Sequence, residues 1–128
     1  MLKFFYVGLG GAVGAMLRYQ IGNLSLRFAS GGFPLGTLIV NLAGSLCIGF
    51  LWKIFEHITV ANEIKLLVVI GVLGSFTTFS AFSLDNLNLF RNGQYAMFAA
   101  NISYTVVLGI TMVFAGYFGA NFILNTIK

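Results

Sequence analysis

The sequence predicts an all-α integral membrane protein, a single domain of four transmembrane helices. Three observations carry that expectation. Of 128 residues, 59% are hydrophobic and only 8% are charged, whereas a water-soluble domain carries about 25% charged residues. Too little polar material is present to cover a soluble surface. The apolar residues fall into four stretches, each near the roughly 20 residues needed to cross a hydrocarbon core, with turn residues between them. Glycine is abundant, at 16 residues, which suits helices whose backbones approach closely in lipid.

The first span is expected from about Phe4 to Ile21. Its lone lysine and apolar run imitate a signal peptide. Arg18 follows closely, however, and three more apolar spans come after it, so an uncleaved first helix is expected. Gly10 with Gly14, and Gly11 with Ala15, form small-xxx-small pairs suited to helix packing. Gly8 and Gly10 imitate a nucleotide-binding glycine loop, but Val13 stands where a third glycine belongs, and no strand precedes it. Arg18 lies one turn from the expected end of this helix. It either snorkels to the interface or attracts an anion.

A turn containing Ser30, Gly31, Gly32 and Pro34 leads to the second span, about Leu35 to Trp52. Asn41 falls inside it. A carboxamide in hydrocarbon is costly unless it finds a partner. Thr37 is four residues earlier and so on the same face. The pair reads either as interhelical glue or as part of a polar path. Cys47 is the only cysteine, which excludes an intrachain disulfide, and is expected to be a small buried apolar side chain.

A loop expected to contain Lys53, Glu56 and His57 leads to the third span, about Ile64 to Phe90; the Asn92-Gly93 turn then leads to the fourth, about Tyr95 to Leu124. In the fourth span Asn101 and Thr105 are spaced i, i+4 and offer a second polar track. The third contains "GSFTTFSAFS", Gly74 to Ser83, a run of poor helix formers with four hydroxyls. Two readings stand. The helix could break here, since irregular backbone is tolerated at membrane depth where protein buries it or a cavity adjoins it. Glycine at 74 would then permit unusual dihedrals, and the freed groups would suit small ions of either sign. Otherwise the helix continues, with its hydroxyls bonded back to carbonyls one turn earlier.

Charge excludes some functions and leaves others open. The net charge is +4, but the seven basic residues stand singly, with no aromatic interleaving, so no nucleic-acid partner is expected. The acids are Glu56, Glu63 and Asp85, and His57 is the one histidine. No nucleophile–base pair, carboxylate dyad or metal-ligand spacing is present, so no enzyme is expected. The side of the membrane holding the N-terminus would carry Lys3, Lys53, Lys65 and Lys128, and the other side Arg18, Arg27 and Arg91. So near a tie leaves orientation open, because topology follows Lys/Arg bias. Insertion in both directions, followed by antiparallel pairing, is one outcome; a single orientation, set by a weak but sufficient bias or by chaperoned insertion, is the other.

Three motifs in order, "GGAVGAMLRY" (Gly10 to Tyr19), "PLGTLIVN" (Pro34 to Asn41) and "GSFTTFSAFSLD" (Gly74 to Asp85), run through the chain. With the length and the four spans, they make it resemble the small fluoride exporter channels known as Fluc or CrcB proteins. The resemblance implies an antiparallel dual-topology homodimer with two fluoride pores in the bacterial inner (plasma) membrane. It implies that the third helix is broken at the midplane, where carbonyls of Gly74 and Thr77 from both subunits cage a structural sodium ion. It makes Asn41, Phe79 and Phe82 pore residues, puts Asn101 and Thr105 on the polar track, and sets Arg18 near the pore mouth. Ser75 stands where relatives commonly have a second glycine, and Asp85 where glutamate is common. The alternative is a small dual-topology multidrug or cation/proton transporter, which needs an intramembrane carboxylate; only Asp85 could serve.

Overall fold

The computed structural model describes residues 1–27 and 32–126. Ser30 and Gly31 of the first connection and Lys128 of the charge balance lie outside these residues. All regular structure among the described residues is helical. The helices are α1 (Leu2–Ser25), α2 (Leu35–His57), α3 (residues 62–76), α4 (Phe79–Arg91) and α5 (Tyr95–Thr126). α3 and α4 are the two halves of the expected third span. Among the described residues three rods are long and apolar enough to cross a membrane: Leu35–His57, Asn62–Arg91 and Tyr95–Thr126. The protein is therefore an integral membrane protein. α1 has the length, at 24 residues, but its glycines, Lys3, Arg18, Gln20 and Asn23 dilute its apolar character, so it falls short of the apolarity expected of it.

Glycines set how the rods pack. α1 lies along α3 and α2 along α5. A Cβ on Gly10 would collide with the Leu67 carbonyl oxygen, and one on Gly14 with that of Val72. Gly71 faces them from α3, where an added Cβ would lie 2.8 Å from the Gly10 Cα. The small-residue pair expected at Gly10 and Gly14 is therefore the α1–α3 seam. Gly49 and Gly116 do the same for α2 and α5, opposite Val113 and Leu46. In lipid no hydrophobic force drives helices together, so close backbone contact supplies the attraction instead.

Large apolar side chains point outward, as a lipid environment allows: Phe114, Phe118 and Phe122 are all more than half exposed. Cys47, expected to be buried, is exposed, because Gly44 and Gly49 take the inward positions of α2. α2 runs past the expected Trp52 as far as His57. Its last turn is tied by an ion pair, Lys53 Nζ to Glu56 Oε2 at 3.5 Å. The Tyr117 hydroxyl donates to the same oxygen at 2.9 Å. Glu56 and His57 are thus helical residues rather than loop residues. The Asn92-Gly93 turn forms as expected, with Gly93 at φ 71°.

Two segments widen into π-helical turns: Leu66–Leu73 in α3 and Tyr104–Leu108 in α5. Such turns are rare and concentrate at functional sites. Both lie beside the break between α3 and α4.

Candidate functional site

The site begins with two residues that leave the helix. Thr77 has φ −81° and ψ 157°, and Thr78 has φ −154° and ψ 118°. Both are β-branched, and extended backbone suits such side chains. Gly74 keeps helical dihedrals, φ −63° and ψ −30°. The expectation that glycine at 74 would supply the unusual dihedrals is therefore corrected: the threonines supply them.

Asn41 holds the break open. Its Oδ1 accepts from the Thr78 amide at 2.8 Å, and its Nδ2 donates to the Thr78 carbonyl at 3.2 Å. The carboxamide pairs with one residue's main chain much as a neighbouring β-strand would. In an unbroken helix the Thr78 amide would bond the Gly74 carbonyl. Diverting it to Asn41 takes that helical partner away from Gly74. Thr78 is buried, at 8% exposure, so its main-chain groups need these bonds. Thr78 also caps α4, its hydroxyl accepting from the Ala81 amide at 3.1 Å. Thr77 Oγ1 donates back to the Leu73 carbonyl at 3.0 Å. The break and the back-bonded hydroxyl, offered as alternatives by the sequence, thus coexist. Gly44 makes room for this: a Cβ there would collide with Thr77 Cγ2.

A cavity of about 460 Å³ opens at the break. Asn41, Gly74, Thr77, Phe79, Phe82 and Thr105 all line it. The Phe79 and Phe82 rings sit 5.5 Å apart, centroid to centroid, tilted by 44°. Phe82 is buried at 8% exposure while Phe79 is 79% exposed. Thr105 enters from the π-helical part of α5, and its hydroxyl is buried with no hydrogen-bond partner among the described residues. The two halves of the third rod present opposite partial charges to this space: carbonyls end α3 and amides begin α4.

Asn101 and Arg18 are not part of this lining. Asn101 is only 1% exposed, and both of its side-chain polar atoms lack a partner among the described residues. Arg18 is half-buried on α1. Thr37 shares a helix face with Asn41 but lines a second cavity, of about 300 Å³, with Gly22, Ser25 and Asp85. Asp85 Oδ2 is buried there without a partner among the described residues. Sequence reasoning missed Thr78. The signal was available: a threonine directly before an amphipathic run is a preferred helix N-cap.

Residues 5–117 match the model of the family described as CrcB-like protein, Camphor Resistance (CrcB). The chain belongs to the CrcB-like protein family. Similar to this CrcB-like chain is a fluoride-specific ion channel FluC of Agrobacterium fabrum. It is 44% identical over 117 residues, which cover 91% of this chain and 94% of the relative. Proteins of the same name from Dehalococcoides mccartyi and Shewanella amazonensis are 42% identical over 123 residues and 40% identical over 116. The first alignment covers 94% of each chain; the second covers 91% of this CrcB-like chain and 94% of the relative. The relatives carry the name of a channel, not of an enzyme. The family read from the three motifs is therefore established.

Proposed function

We propose that this chain is a fluoride-selective channel that passively exports fluoride across the bacterial inner membrane. The observation that carries the reading is the meeting of Asn41, Phe79, Phe82 and Thr105 in one cavity at a break in a membrane-spanning rod, in a chain similar to fluoride-specific channels. Fluoride is small and strongly hydrated, so replacement ligands must be close and numerous, yet weak enough to release it. Phenylalanine edges are electropositive. Asn41 spends one N–H on Thr78 and has a second. The Thr105 hydroxyl and the first amides of α4 add neutral donors. Asn101 and Arg18 belong further along the same path, at the polar track and the mouth.

The working unit in this proposal is an antiparallel dual-topology homodimer with two pores. The near-tied Lys/Arg balance supports it, as does the exposure of Gly74 and Phe79 at the break, which leaves that face for a second copy. A structural sodium ion would be held by carbonyls of Gly74 and Thr77 from both subunits. The oxygen-only donor set suits a hard cation, and the Gly74 carbonyl has lost the Thr78 amide as its partner. The ion would neutralise carbonyl charge where the half-helices meet.

Two measurements test this. Purified protein in liposomes should release fluoride, followed with a fluoride electrode, and should retain chloride; absence of fluoride release sinks the proposal. The alternative, proton-coupled export of cationic drugs, would instead give drug transport that Asp85→Asn abolishes. Replacing sodium throughout by a large organic cation should lower dimer stability and conduction together. Unchanged values for both would remove the sodium ion from the account and leave the pore intact.

A further inference from the structure

At the end of the protein that holds the N-terminus, three rods meet around a separate cavity of about 280 Å³. Lys3 comes from the start of α1, Trp52 and Phe55 from the last turns of α2, and Asn62 and Lys65 from the start of α3. Leu66, Val69 and Ile70 continue the lining down α3. We infer that this cavity is a binding site for an anionic phospholipid, its phosphate between Lys3 and Lys65 and an acyl chain along Leu66, Val69 and Ile70.

The chemistry changes along the cavity in the order a lipid requires. Its outer end carries two ammonium groups and a carboxamide, and no carboxylate lines it. The one ion pair among the described residues is Lys53 with Glu56, so Lys3 and Lys65 keep their charge for an external anion. Lys65 Nζ lies 5.7 Å from the Phe55 ring centroid, a cation–π contact that steadies the long side chain at the cavity rim. The inner end is aliphatic. Ile70 lies five residues beyond Lys65, about 7 Å deeper along a helix, the step from headgroup to hydrocarbon. Trp52 belongs to the residue type that gathers at this boundary, and it is 56% exposed. Ile70, also 56% exposed, leaves the groove open sideways to the bilayer.

Charge decides which lipid. A zwitterionic headgroup would bring its own cation against two lysines. An anionic one neutralises them, and each lysine near an anionic membrane surface is worth about fivefold in binding. A lysine ammonium is a compact, strongly hydrated point charge, suited to a phosphate at a wet interface. The site depends on the protein lying in a bilayer and not on which ion it conducts.

Trp52 is the chain's single tryptophan, so its fluorescence reports this cavity directly. The full-length protein is reconstituted in phosphatidylcholine vesicles containing a small fraction of lipid brominated on its acyl chains, either phosphatidylglycerol or phosphatidylcholine. The expected result is that brominated phosphatidylglycerol quenches Trp52 at about 25-fold lower mole fraction than brominated phosphatidylcholine, about fivefold for each lysine. In the Lys3→Gln, Lys65→Gln double variant the two curves should coincide, and molar salt should bring them together in the wild type. Lys53→Gln, whose charge is already paired, should keep the difference. Equal quenching by both lipids in the wild type at low salt would reduce the cavity to an ordinary lipid-facing surface and overturn the inference. So would a double variant that still prefers phosphatidylglycerol. If the double variant does not fold, Lys3→Gln alone, altering an exposed side chain at the start of α1, should narrow the gap about fivefold; an unchanged gap overturns the inference.

Discussion

Asn41→Ala is expected to abolish the proposed fluoride efflux from liposomes and to destabilise the protein by about 2 kcal/mol or more, the cost of leaving buried main-chain groups of Thr78 without partners. Efflux is read with a fluoride electrode and stability by thermal unfolding in detergent. Both losses follow from one geometry. Asn41 satisfies the Thr78 amide and carbonyl together, and an alanine satisfies neither. Without that clamp the extended backbone at Thr78 loses the contact that fixes it, and with it the break that gives the cavity its shape. Asn41→Asp separates the two consequences. An aspartate keeps an acceptor for the amide but sets a second oxygen against the Thr78 carbonyl, and it places a negative charge beside an anion path. Part of the stability should return while efflux stays absent. Unchanged stability in Asn41→Ala would show that the break does not depend on this side chain.

The second large effect is on rate. Phe79→Ile should slow fluoride efflux about fivefold, since ring-edge contacts are worth of order 1 kcal/mol and 1.4 kcal/mol is a tenfold change in rate. Within one chain little packing is lost, since the ring is 79% exposed there and makes its aromatic contact with Phe82 at 5.5 Å; any loss of stability should appear in dimer dissociation, because the proposed second copy covers this face. Phe82→Ile should slow efflux similarly but also lower stability, because Phe82 is buried. An isoleucine matches the ring's apolar character and lacks its electropositive edge. Wild-type efflux in both variants would take the rings out of the ion path.

Much of the architecture was legible because it depends on neighbours in sequence. The apolar stretches, the Asn92-Gly93 turn and the Gly10–Gly14 seam each follow from residues a few positions apart. The break was legible only as one of two readings. Poor helix formers make a break cheap without making it happen, and the hydroxyl of Thr77 satisfies the rival reading as well. Gly74 stays helical for the same reason: glycine permits unusual dihedrals, but nothing local obliges the chain to use them there. Glu56 and His57 look like loop in the sequence because the apolar pattern stops at Trp52, whereas Tyr117, 61 positions after Glu56, helps hold that turn in the helix.

What the sequence by itself determined is the solvent this protein lives in, the helical rods, and the place where the third is weakest. The tertiary structure decided that the weak place opens, which of its residues turn extended, and that Asn41 serves the backbone of Thr78, 37 positions away. It also brought Lys3 and Lys65 to one cavity. The physical reason is that helix propensity and hydropathy sum over adjacent residues. The partner of a buried polar side chain depends instead on the rotation and register of packed helices, and here glycine contacts between distant segments set both.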